Sequence, residues 1–202
     1  MEIITLSDDY ILTSNCYIIL SDTSFSVVDP SVSYEKAVQR IKALKDLKPE
    51  YVLLTHGHCD HFWEIQSYVN AGCEVLVTEH DAILAADENL NCSALFDMNT
   101  EYKGAYRRIT EGDVINIGDT KFTVIETPGH TAGSVCYLTD ALAFTGDTLF
   151  ANGGYGRFDL PSGNAVQLRA SLGRLLTLDE GLKLYSGHGP ATTLGETKSF
   201  FK

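Results

Sequence analysis

Three of the six histidines in this chain fall between positions 56 and 61, in the stretch Thr55-His56-Gly57-His58-Cys59-Asp60-His61, which follows directly on the apolar run Tyr51-Val52-Leu53-Leu54. Imidazole and carboxylate oxygen both suit divalent cations. His56 and His58 are two apart, so in extended chain their side chains leave the same face and can grip one ion. Asp60 and His61 follow where the chain begins to turn, and can face a second position. Taken singly these residues have ordinary uses: Asp60 would serve as N-cap of a helix starting at Phe62, and lone histidines are usually packing or surface residues. Four candidate ligands in six positions point instead to a metal site delivered from the end of a buried strand. Cys59 alternates with His58 and Asp60 and is therefore expected to point elsewhere.

The same arrangement, an apolar strand, a turn of small residues, then His or Asp, recurs three times. It appears at Thr127-Pro128-Gly129-His130-Thr131, at Thr145-Gly146-Asp147-Thr148 and at Ser186-Gly187-His188-Gly189-Pro190. The adjacent glycines let backbone approach a crowded set of ligands. Four such endings meeting on one rim of a sheet would hold two metals. His80, with nothing metal-like around it, reads as an exposed helix residue.

The elements that must carry these endings are legible from periodicity. Strands at 3–6, 16–20 and 25–28 form a meander. Ser33 caps a helix with Tyr34, Ala37, Val38, Ile41 and Leu44 on one face, stopped by Pro49 before the strand at 51–54. Phe62, Ile65, Gln66 and Val69 have helical spacing, closed by Gly72 before a strand at 74–77. Thr78 with Asp81 reads as a capping box. Residues 87–111 lack periodicity and hold Phe96, Tyr102, Tyr106, Arg107 and Arg108; they form either a substrate wall or a surface loop. A hairpin joins 114–117 to 121–126 through Gly118-Asp119-Thr120, with further strands at 135–138, 142–144 and 182–185. The Gly-rich stretch at 152–161 lacks a phosphate-loop ending. Asn164 caps a helix whose apolar side is Ala165, Leu168, Leu172, Leu175 and Leu176, and 193–200 closes the chain as a short amphipathic piece.

With 202 residues, 44% of them hydrophobic, and no linker, the chain reads as a single domain over 1–202. A formal net charge of −12 argues against nucleic-acid binding, which rests on Lys and Arg. No apolar run approaches bilayer length, and the start Met1-Glu2-Ile3-Ile4-Thr5 lacks a basic leader, so a cytoplasmic protein with a small-molecule substrate and no membrane partner is expected. The five cysteines include no Cys-x-x-Cys pair and are expected to be reduced.

On these motifs the chain resembles the metallo-β-lactamase-fold hydrolase superfamily, marked by His-x-His-x-Asp-His and later His, Asp and His, over nearly its whole length. Asn15-Cys16-Tyr17, Asp29-Pro30, the three later endings and Gly156-Arg157-x-Asp159-Leu160-Pro161 are similar to the short glyoxalase II-like (hydroxyacylglutathione hydrolase-like) branch. The resemblance implies an α+β fold, a four-layer αβ/βα sandwich of two mixed sheets with helices outside and the site at one edge. It implies that His56, His58 and His130 hold one metal, that Asp60, His61 and His188 hold the other, and that Asp147 bridges them. Two divalent metal ions are implied as cofactors, zinc first, with iron and manganese also suited. Hydrolysis of a small thioester or related acyl compound would follow, by a hydroxide generated at the metals and oriented by Asp60 as catalytic residue. Asp29 is either a partner to a ligating histidine or an ordinary Asp-Pro turn, and Tyr155 and Arg157 either touch substrate or brace their loop. Glyoxalase II enzymes add a C-terminal helical domain that contacts glutathione; this chain stops soon after His188, which leaves glutathione recognition open. The alternatives are a mononuclear iron oxidoreductase of the persulfide dioxygenase kind, using His56, His130 and Asp147, and a metal-stabilised binding module.

Overall fold

The computed structural model describes residues 1–8 and 14–201. Six strands, β1 (Glu2–Leu6), β2 (Cys16–Leu20), β3 (Ser24–Val28), β4 (Lys48–Leu53), β5 (Glu74–Val77) and β6 (Arg107–Arg108), lie side by side in that order as the first sheet. Its first three strands are the expected antiparallel meander, and from β3 onward the pairs are parallel. Parallel neighbours need crossovers, and three helices provide them: α1 (Tyr34–Arg40), α2 (Ile65–Ala71) and α3 (Glu79–Ala85). The second sheet holds β7 (Val114–Ile117), β8 (Thr120–Glu126), β9 (Val135–Leu138), β10 (Leu142–Gly146), β11 (Lys183–Ser186) and β12 (Thr192–Thr193), in reverse spatial order from β12 to β7. Only β10 and β11 pair in parallel there, linked by α4 (Ala165–Leu175); α5 (Leu194–Lys198) follows β12.

Side-chain alternation explains why the two sheets stack. In β2, Tyr17 and Ile19 enter the layer between the sheets, while Cys16 and Ile18 face the helices of the first sheet. In β4 and β5 the same period sends Leu53 and Leu76 inward and Val52, Val75 and Val77 outward. Because both faces are covered, these strands read as continuous apolar runs. A third layer, with Leu168, Leu172 and Leu175 of α4, closes the other sheet. Three apolar layers between four structural ones make the expected αβ/βα sandwich.

Phe144 sits at the centre of the middle layer, its ring 5.2 Å from Tyr17 and 6.0 Å from Phe122. Phe144→Ala is expected to cost about 3–5 kcal/mol. Denaturant unfolding measures it; a cost below about 1 kcal/mol would mean that the inter-sheet layer is not the main core.

Two expectations are corrected. The helix from Ser33 does not run to Leu44: α1 ends at Arg40, Ile41 leaves helical geometry (φ −123°, ψ 87°), and a 3-10 turn over Lys42–Lys45 delivers Leu44 to the core. Pro49 does not precede its strand but lies inside β4, paired with Phe25 beside a register shift, where the irregular ladder tolerates its missing N–H. Ser33, Gly72 and Asn164 cap as expected, and no described helix is long and apolar enough to cross a membrane.

Candidate metal centre

All four strand endings open on the same edge of the sandwich. After β4, a short extended stretch carries His56 and His58, and a 3-10 turn over Cys59–His61 swings Asp60 and His61 round beside them. The second sheet supplies His130 beyond β8, Asp147 beyond β10 and His188 beyond β11. Nε2 of His130 lies 2.9 Å from Nδ1 of His58 and 3.2 Å from Nε2 of His56. Nε2 of His188 is 3.3 Å from Asp60 and 3.5 Å from Asp147, whose other oxygen is 3.4 Å from Nε2 of His61. Three groups of potential ligand atoms result, each within a 4.8 Å span: His56/His58/His130, His56/His61/Asp147 and Asp60/His61/His188.

Hydrogen bonds on the far side of three of the rings determine which nitrogen faces the centre. Nδ1 of His130 donates to the Arg157 carbonyl at 2.7 Å, so Nε2 keeps its lone pair. Nδ1 of His61 donates to Oδ2 of Asp29 at 2.8 Å. Thr55 gives its hydroxyl proton to the same carboxylate at 2.6 Å, leaving its oxygen to accept from Nδ1 of His56 at 3.1 Å. Asp29 also accepts from the Thr55 amide at 2.8 Å, from a backbone held at φ +50°, a region Asp tolerates better than most residues. Of the two readings of Asp29, the structure bears out the partner to a histidine.

Nε2 of His56 and of His130 thus face each other across the centre, with Nδ1 of His58 beside them. Among the groups facing the centre, His61 Nε2 and Asp147 Oδ1 are buried without a hydrogen-bond partner, a costly condition unless something else satisfies them. A divalent cation fits: the donors are imidazole and carboxylate, and each histidine whose far nitrogen is engaged is oriented as a ligand. Electrostatics agree. Burial, with His61 and His130 alongside, holds His56 well below its ordinary value, and burial with His130 brings His58 down to about 3. Burial opposes protonation of His61 and His188 too, yet the surrounding carboxylates prevail and raise them to about 9 and about 11. For Asp147 and Asp60 burial acts upward, but the neighbouring imidazoles keep both below the usual carboxylate range. Without a cation, two imidazolium protons balance the carboxylates; a cation takes their place.

Other expected residues fall as follows. Cys59 is buried in the helix-side core and turned away from the ligands. His80 is exposed. Within 87–111 only the start reaches the site, where the Asn91 carbonyl accepts from the Cys59 amide at 3.0 Å. Tyr102 is buried in the helix-side core instead, and Arg107 lies over the Tyr51 ring and pairs with Glu74 at 3.5 Å. Tyr102 and Arg107 are therefore engaged elsewhere than in a substrate wall. Arg157 serves the site through its carbonyl, while its guanidinium makes two 2.7 Å bonds to Asp159 and braces the loop. Tyr155 is exposed. The Thr78/Asp81 capping box does not form: the Thr78 hydroxyl donates to the Gly133 carbonyl at 2.8 Å, and Asp81, fully buried, turns to the ligand loops. Partners across the sandwich outcompete the local cap because a carboxylate taken out of water needs several donors.

Gly187 makes the close approach expected of a glycine beside a ligand, since a Cβ there would overlap Asp147. Gly156 went unrecognised as a tight contact of this centre: a Cβ on it would come 2.7 Å from Nδ1 of His130.

The model for the metallo-beta-lactamase superfamily matches residues 10–188. The chain belongs to that superfamily. Among superfamily relatives, it is 36% identical over 194 residues to a probable metallo-hydrolase, YqgX, of Bacillus subtilis, covering 90% of this chain and 87% of that one. It is 30% identical over 200 residues to the hydroxyacylglutathione hydrolase GloC of Haemophilus influenzae, covering 91% and 89%. Among solved structures, the BLEG-1 B3 metallo-beta-lactamase superposes with a TM-score of 0.86 at 29% identity, covering 97% of both chains. The protein TTHA1623 in a di-iron-bound form gives 0.82 at 29% identity, covering 98% and 97%. ETHE1 from Myxococcus xanthus gives 0.77 at 28% identity, covering 98% and 82%.

Proposed function

We propose that this superfamily member is a metal-dependent hydrolase that cleaves a small thioester or related acyl compound. Two divalent cations, zinc first and iron or manganese as the alternatives, would be held by His56, His58 and His130 in one seat and by Asp60, His61 and His188 in the other, with Asp147 between them. The observation that carries this reading is the overlap of the three ligand groups, which share His56 and His61 and so join all seven residues into one continuous cluster. When bound, such a pair supplies an ionised water at neutral pH and a Lewis-acid seat for the substrate carbonyl oxygen. Asp60, ionised and 3.3 Å from His188, accepts a proton at Oδ2 and returns it to the departing thiolate. His188, its side chain 34% exposed, marks the side from which substrate enters. A relative named hydroxyacylglutathione hydrolase, of which the match covers 89%, supports a glutathione thioester as substrate. The net charge of −12 supports a small molecule over a nucleic acid. Five buried, unpaired cysteines support a reducing compartment, the cytoplasm.

A second reading keeps one iron on His56, His130 and Asp147, a two-histidine, one-carboxylate set, for oxygen chemistry on a persulfide. Its support is the compactness of that set, with Nε2 of His130 at 3.2 Å from His56 and 3.6 Å from Asp147.

Protein purified without added metal is analysed for its elements and then assayed against glutathione and CoA thioesters and for oxygen uptake with a persulfide. Two equivalents of metal with thioester turnover are expected. One iron per chain with persulfide-dependent oxygen uptake, and no thioester turnover, would decide for the second reading.

A further inference from the structure

Asp81 has no place in the ligand set and none in the acyl chemistry, yet it is entirely buried and fully bonded beneath the centre. Its Oδ2 accepts from the Gly57 amide at 2.9 Å and the Thr131 hydroxyl at 2.7 Å, and its Oδ1 accepts from the Gly133 amide at 2.9 Å. Gly57 lies between His56 and His58; Thr131 follows His130. One carboxylate thus ties together the two loops that bring His56, His58 and His130 from opposite sheets. The surroundings are shaped to it: a Cβ on Gly133 would come 2.6 Å from Oδ1, and Thr78, just before α3, holds the Gly133 carbonyl. Burial raises the Asp81 carboxyl, opposed by the same three donors, so its ionised form depends on these loops as they depend on it.

The other seat is fastened differently. Asn15 donates through Nδ2 to the Ser186 and Gly189 carbonyls, both at 2.9 Å, and its amide bonds the Gly187 carbonyl at 2.7 Å, bracketing His188. Ser14 holds the Asp60 carbonyl at 2.7 Å. None of these bonds involves Asp81.

We propose that Asp81 is a positioning residue for the first cation seat alone, setting the separation of His130 from the His56/His58 pair, while the second seat is held independently through Asn15. The inference rests on the two-cation reading above. A ligand held by an oriented partner loses affinity when that partner goes, by about 10–100-fold in metal sites. In Asp81→Asn the amide nitrogen stands either against the Gly133 amide or against the Gly57 amide and the Thr131 hydroxyl, so the clamp loses at least one of its three bonds while side-chain volume is kept.

The test counts cations by competition with a chromophoric chelator, titrating zinc into the folded protein. In a His188→Ala background, which reports the first seat, adding Asp81→Asn is expected to weaken zinc by about 10–100-fold. In a His58→Ala background, which reports the second, the same change is expected to shift affinity by less than about threefold, and Asn15→Ala to reverse the pattern. Thr131→Val, which removes one of the three bonds, gives the same ordering with a smaller loss and serves if Asp81→Asn does not fold. Parallel loss from both seats, or none from the first, overturns the proposal and leaves Asp81 a general fold residue. Wild-type protein that takes up fewer than two equivalents sinks the two-cation reading itself, a separate outcome.

Discussion

His58→Ala is expected to lower thioester turnover by at least about 10³-fold, and chelation of the wild-type protein to do the same, with recovery when the metal is restored. The size follows from what is lost. Water is a poor nucleophile at neutral pH, and the carboxylate of Asp60, kept below its ordinary range, is too weak a base to ionise it unaided. Removing His58 takes away one of only three donors in its group and leaves His130 without the neighbour at 2.9 Å. The fold should survive, because His58 lies on the rim and not in any of the three apolar layers. Circular dichroism and the unfolding midpoint therefore accompany the assay: turnover that persists after both treatments, in folded protein, would remove the metal from the mechanism.

The second large effect is expected at Asp29, and two substitutions separate its causes. Asp29→Ala leaves the Thr55 amide, the Thr55 hydroxyl and Nδ1 of His61 buried with no acceptor, a destabilisation of about 3–5 kcal/mol by unfolding. Asp29→Asn keeps the volume and one acceptor oxygen. If its amide nitrogen faces His61, the imidazole must move its proton to Nε2, which then points N–H into the centre where a lone pair is required. Asp29→Asn is thus expected to retain most of the stability and lose metal affinity by about 10–100-fold. Equal metal affinity in Asp29→Asn and wild type would show that the His61 tautomer is not set by this carboxylate.

Much of the architecture was legible because its signals are local. Alternating apolar residues in β2, Ser33 and Asn164 as caps, Gly72 in the left-handed region and the Gly118 turn all act within a few residues of themselves. The errors arose where a local rule met a stronger distant partner. Pro49 does not break β4, since the ladder is irregular beside it. Thr78 and Asp81 have capping-box spacing, but Gly133 and Thr131, from the other sheet, claim both side chains. Of the two readings of 87–111, Tyr102 and Arg107 follow the surface-loop one, Tyr102 being needed in the core and Arg107 on Tyr51.

The linear chain by itself determined which side chains are candidates and that each stands at a strand end, because strand period and glycine spacing are properties of neighbouring residues. Only the folded structure decided which ring nitrogens are bare. That depends on acceptors remote in sequence, Asp29 for His61 and the Arg157 carbonyl for His130, 32 and 27 positions away. A hydrogen bond acts over about 3 Å in space and is indifferent to separation along the backbone, so two sheets had to close on each other before the lone pairs could share a centre.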